Sequence, residues 1–193
     1  MKTDSVARVA PATRRWLLAN ARDALAKALQ TPAPPLPPAP DDPILDEPAR
    51  MFVSWHEGTR LVGCIGVLEP RETVREGTRR LAVQSGLHDH RTPMPAATDL
   101  PRLHAEISIL TPPEPMAERG LAEIAAALVP GRDGLVLHDG AKRAVFLPVV
   151  WNSLTTPAAF VTALCRKAGI DPQVRAEHVR GERFFAEEFS EPH

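Results

Sequence analysis

One of only two cysteines in this 193-residue sequence has a tight setting: Cys64 lies between two glycines in "LVGCIGVLEP", residues 61–70. Flanking glycines let a substrate come close to the backbone, so a thiol there is a candidate nucleophile or metal ligand. Reactivity, however, requires an electropositive neighbour that keeps the sulfur as thiolate. None stands beside Cys64 in the chain, and Arg91 or a histidine reaches it only through the fold. The preferred alternative is a small apolar residue packed in a strand, since free cysteine is among the most buried residue types. Cys165, in the apolar helical run "ALCRKAG", reads as core.

Two further groups carry chemistry. In "LHDHR", His88, Asp89 and His90 alternate on a loop, where side chains two apart converge on one metal ion. The favoured reading is a solvated loop in which Asp89 pairs with Arg91 or caps a turn. In "RLHAEISILT", His104, Glu106 and Ser108 share one face of a strand. Glu106 is there a candidate general base, working with Cys64 as thiol, or the anchor of an arginine such as Arg91. The sequence has no Walker motif, no Gly-x-Gly-x-x-Gly after a strand and no serine nucleophile elbow, so no cofactor is expected.

The elements that must position these residues follow from periodicity. "TRRWLLANARDALAKAL" predicts a helix with Thr13 as possible cap and Leu18, Ala21, Leu25 and Ala28 as its apolar stripe. "ARMFVSW" and "LVGCIGVL" predict two strands joined by the turn "HEGTR". In the second, Leu61, Gly63, Ile65 and Val67 take one face and Val62, Cys64, Gly66 and Leu68 the other. Thr73 and Glu76 form a capping-box pattern ahead of a helix bearing Val74, Thr78, Leu81 and Ala82. A short helix near "AERGLAEIAAALV" precedes a hairpin turning at Asp139-Gly140. A clear helix then runs from Thr156 as cap to Gly169 as stop, and "RFFAEEF" supplies a last strand. Hairpins and helices in irregular order predict an α+β fold, mostly antiparallel sheet with flanking helices.

Composition narrows the function classes. The 23 basic and 24 acidic residues give a net charge of −1, against a dedicated nucleic-acid binder. Three Trp, six Phe and no Tyr leave little for an aromatic stacking platform. No apolar stretch approaches the roughly 18 residues of a membrane-spanning helix, and the N-terminal residues lack the apolar core of a signal peptide. With two distant cysteines no disulfide framework is expected, and the reading is cytoplasmic. Eight of the 21 prolines fall in residues 31–48, which are expected to run as a stiff surface strap without secondary structure. The expected organisation is an N-terminal helix within residues 1–30, a linker over 31–48 and a body over 49–193, with 14–190 as one domain overall.

In order along the chain, "LVGCIGVLEP", "DHRTPMP", "LHAEISILTPPEPM", "GRDGLVLHDGAKRAVFLPVV" and "FVTALCRKAGI" resemble the AMMECR domain family. Its prokaryotic members are called AmmeMemoRadiSam system protein A, and the likeness spans roughly residues 14–190. The family's Leu-Arg-Gly-Cys-Ile-Gly hexapeptide stands here as Leu61-Val62-Gly63-Cys64-Ile65-Gly66, without the arginine that would lower a thiol pKa. Its Leu-Pro-Gln-Val stands as Leu147-Pro148-Val149-Val150, while Asp89, Arg91, Glu106 and Ser108 match. The resemblance implies an α+β fold with a larger and a smaller lobe and no firmly assigned activity. It also implies association with Memo-type proteins and radical S-adenosylmethionine enzymes. The resulting expectation is a partner or adapter module binding a protein or ligand through Gly63, Cys64, Ile65, Gly66, Asp89, Arg91, Glu106 and Ser108. An enzyme using Cys64 with Glu106 or a histidine is the alternative, and metal handling at His88 and His90 the third. If the site is real, Cys64, Asp89, Arg91 and Glu106 gather around one concave region.

Overall fold

The computed structural model describes residues 9–173 and 177–192. They form an α+β fold whose two compact units each hold a four-stranded antiparallel sheet. One unit takes the chain to Leu110 and again from Glu187, and the other is Thr111–Ala186. Among the described residues no helix is long and apolar enough to cross a membrane.

The first unit begins with helix α1 (Pro11–Ala28). Pro11 opens it, needing no N–H there, and Ala10 occupies the cap position without a side-chain bond. Thr13, read from sequence as the cap, lies inside the first turn, fully buried, and donates to Asp42 at 2.5 Å. Of the expected stripe Leu18, Ala21 and Leu25 are buried and Ala28, in the last turn, is exposed, while burial extends to Trp16, Leu17, Ala24 and Ala26. The cause is the strap, which folds back over the helix: Trp16 Nε1 donates to the Pro37 carbonyl at 2.9 Å, and Ala33 and Leu36 pack on the core. Within the strap Pro43–Asp46 form one 3-10 turn, started by the Asp42 side chain accepting from Ile44 N. Eight prolines exclude a helix or a central strand, yet leave room for a single capped turn.

Strands β1 (Arg50–Glu57) and β2 (Arg60–Val67) form the predicted hairpin, and helix α2 (Val74–Leu87) follows. Thr73 caps α2, accepting from Glu76 N at 3.3 Å, and Val74, Thr78, Leu81 and Ala82 are all buried. Strand β3 (Leu103–Leu110) pairs with β1 on the side away from β2. Strand β8 (Ala186–Ser190) completes the order β2-β1-β3-β8. Met51, Val53 and Trp55 of β1 and Ala105 and Ile107 of β3 sink into one core with α1 and α2, and Trp55 Nε1 donates to Ala82 O at 2.9 Å.

The second unit holds β4 (Glu114–Arg119), helix α3 (Gly120–Ala127), β5 (Gly134–Asp139), β6 (Lys142–Phe146), helix α4 (Pro157–Lys167) and β7 (Arg180–Phe184), in the sheet order β4-β7-β5-β6. Strand β4 was not expected, because a proline at Pro115 and a register irregularity break its alternation. In α4 Thr156 is the cap and Phe160, Leu164 and Cys165 are fully buried, with Trp151 stacked on Phe160 at 3.9 Å between ring centroids. The single last strand expected over "RFFAEEF" is in fact β7 and β8, in different sheets. Phe185 between them exchanges hydrogen bonds with Thr111, each 2.9 Å. Hydrophobic alternation reports which residues are apolar and is blind to a chain changing sheets.

Candidate functional site

The site grows from the free edge of β2. In an edge strand the N–H and C=O of alternate residues face outward and need partners. At Cys64 those partners come from the loop after α2, whose last turn closes with His88 N bonded to Gln84 O at 2.8 Å. The next residue, Asp89, turns inward and is buried, with only 4% of its side chain exposed. Its carboxylate accepts from Cys64 N at 2.9 Å and from Arg91 N at 3.1 Å. Arg91 adds Nε and Nη2 contacts of 2.8 and 2.6 Å to the same carboxylate, and its Nη2 donates to Cys64 O at 2.7 Å. Thr92 Oγ1 donates to Val62 O. Residues 89–92 thus stand where a neighbouring strand would be. Arg91 holds the Asp89 carboxyl well below the usual carboxylate range, burial opposing and the two backbone N–H groups assisting.

Both glycines make room for this chain's own atoms. A Cβ on Gly63 would sit 1.9 Å from the Ser85 carbonyl oxygen, because α2 crosses β2 there backbone to strand. A Cβ on Gly66 would fall 2.2 Å from the Phe52 ring. A bulge shapes the rest: Trp55 opposes Gly63 and His56 opposes Leu61, so Val62 has no opposite residue in β1 and leaves the expected alternation. It lies in the core, 2% exposed, at the position of the family's arginine. Ile65 is partly buried against the same core, and Val149 is exposed in a 3-10 turn of the second unit.

Register then lines up the polar face. Cys64 pairs with Ser54, and Ser54 pairs with Glu106, so thiol, hydroxyl and carboxylate cross three strands in one row. Phe52 pairs with Ser108 and His56 with His104 in the flanking rows. Burial pushes the Cys64 thiol up; its hydrogen bond with Ser54 and the charge of Arg91 pull the other way, while Asp89 and Glu106 reinforce the rise. Asp89, Arg91 and Glu106, the three residues expected near Cys64, are therefore within electrostatic reach of its sulfur. On β8, Glu188 is exposed as a residue, yet its carboxyl loses hydration against the sheet. That loss, followed by repulsion from Glu106, raises its pKa, and a hydrogen bond with Ser108 opposes. His56 Nε2 is buried with no hydrogen-bond partner among the described residues and lies 3.9 Å from Glu106 Oε1.

Ser54, His56 and Glu188 escaped the sequence reading. Ser54 and His56 alternate with Val53 and Trp55 in "MFVSWHE", which was a signal, but only the β1–β3 register shows that they flank Glu106. His88 and His90 are exposed, and among the described residues no three His, Cys, Asp or Glu side chains are placed to hold a metal ion.

Comparison with known proteins supplies context. The sequence model of the AMMECR1 family matches residues 18–189. A protein of Thermofilum pendens is 31% identical over 191 residues, covering 91% of this chain and 88% of its own length. Protein MJ0810 of Methanocaldococcus jannaschii is 34% identical over 156 residues, 77% of this chain and 76% of its own. The crystal structure of the uncharacterized protein PH0010 from Pyrococcus horikoshii superposes with a TM-score of 0.81 at 31% identity, covering 93% of each chain.

Proposed function

The chain belongs to the AMMECR1 family, and we propose that it serves as a non-catalytic binding module whose polar sheet face engages a partner protein or ligand. One observation carries this reading: the charged residues nearest Cys64 are already committed to the strand. Asp89 and Arg91 splint the β2 backbone, and the thiol is biased toward its protonated form by burial. A thiol nucleophile needs the opposite bias. What is left for recognition is partly exposed Glu106 and exposed Glu188, with Ser54 and Ser108 buried in the sheet behind them and His56 beside Glu106. Hydrogen-bonding side chains on a rigid sheet suit recognition, because their positions are held before the partner arrives.

As partners we propose a Memo-type protein and a radical S-adenosylmethionine enzyme. The thiol-enzyme reading draws on one favourable feature, the Arg91 charge near Cys64, and burial outweighs it. The test is copurification of the tagged full chain from its native source with mass spectrometry, beside a Glu106→Lys variant. The expected result is a partner carrying one of those chemistries, retained by the wild type and lost from the variant. Fast thiolate labelling of Cys64, or partners unaffected by Glu106→Lys, would remove the basis for the proposal.

A further inference from the structure

A groove of about 290 Å³ opens in the first unit between α1 and the proline strap. Leu18 and Ala19 of the helix, Ala33, Pro35 and Leu36 of the strap, and Pro192 near the C-terminus line it. The strap is fixed at both ends, by Thr31 N on the Ala26 carbonyl at 3.0 Å and by Trp16 Nε1 on the Pro37 carbonyl. Between these ties Ala33 and Leu36 pack on the core and the prolines' locked φ angles hold the course of the segment, so the groove is preformed. It shares no residue with the polar sheet face.

Four charged residues also line the groove: Arg15, Arg22, Asp23 and Glu191. Three are already matched. Arg22 donates to the Leu100 carbonyl at 2.9 Å and forms a two-armed pair with Glu191, whose carboxylate also accepts from Ala105 N at 2.8 Å. Asp23 is held by Lys27 at 2.9 Å and Arg79 at 3.0 Å. Arg15 is exposed and makes no hydrogen bond or ion pair with any described residue. An apolar trough with one guanidinium unmatched among the described residues has the chemistry of a site for an amphipathic anion.

We infer that this groove binds a small amphipathic carboxylate, its apolar body lying on α1 and the strap and its carboxylate paired with Arg15. At about 30 Å³ per non-hydrogen atom, the liquid-water share, the volume suits an apolar body of about ten atoms. Decanoate is therefore the probe, decanol its uncharged counterpart, and the full chain the protein. Titration calorimetry should show decanoate binding at least about tenfold tighter than decanol. Arg15→Gln should erase that preference while leaving decanol unchanged. Ala19→Trp should fill the groove and abolish binding of both, with a melting curve showing the variant folded. Independently of any variant, NMR shifts on adding decanoate to the wild type should cluster at Leu18, Ala33 and Leu36. No binding of decanoate at millimolar concentration, equal loss of both probes in Arg15→Gln, or shifts elsewhere would overturn the inference. So would a concentration-dependent dimer that Ala19→Trp disrupts and decanoate does not, which would assign the groove to a second copy.

Discussion

Cys64 shows how one residue's setting decides its chemistry. Its raised pKa keeps it largely thiol at neutral pH, so iodoacetamide should label it slowly in the folded protein. Labelling should quicken as pH rises above the ordinary thiol value of about 8.5 and on adding denaturant. Fast labelling at pH 7 would mean that the Arg91 charge outweighs burial at the sulfur. Asp89 makes the complementary case. Its folded-state pKa is depressed, so its stabilisation is complete above the unfolded carboxyl value of about 3.9 and fades as pH falls toward the lower folded value. Asp89→Ala strands the Cys64 N–H and should cost about 2 kcal/mol near pH 7 in denaturant titrations. Below about pH 4 the gap between wild type and variant should narrow, and a gap that does not change with pH would deny the carboxylate that role.

At the scale of elements, the packing of α2 on β2 is what the hexapeptide's first glycine serves. The Ser85 carbonyl occupies the place of a Gly63 Cβ, and being backbone it has no rotamer by which to move aside. Gly63→Ala should therefore destabilise by about 3 kcal/mol or more, the upper range for overpacking. Gly140→Ala is the control, with open space around its Cβ position and a φ of +60°. It should cost only about 1 kcal/mol, the usual penalty for a non-glycine residue in that conformation. Equal losses in thermal melts would show that the α2 crossing does not select glycine at residue 63. The β2 edge belongs to the same scale: residues 89–92 take the place of a neighbouring strand at Cys64, so a loop supplies what the sheet order β2-β1-β3-β8 leaves open.

Over the whole molecule the charge is nearly balanced, 23 basic against 24 acidic residues. Many arginines are also matched locally, as in the Arg22–Glu191, Arg79–Asp23 and Arg102–Glu57 pairs. Polyanion binding depends on a surplus of free cations that displace counterions. The protein should therefore pass through heparin without retention at about 0.15 M salt, the physiological ionic strength. Retention beyond that would reveal a basic surface that the overall balance conceals.

The sequence by itself determined the α+β class, the family, the Thr73 and Thr156 caps, the β1–β2 hairpin and the core placement of Cys165, because these depend on local periodicity, capping chemistry and ordered motifs. The tertiary structure decided what local patterns do not encode. The bulge at Val62 moved one residue out of its alternating face, and Phe185 divided one apolar run between two sheets. The strap buried a second side of α1. Most consequentially, cross-strand register set Ser54 between Cys64 and Glu106, and a loop brought Asp89 and Arg91 onto the β2 edge. These neighbours are 10 to 52 residues apart in the chain, and a single slip of register would turn each strand residue to the opposite face.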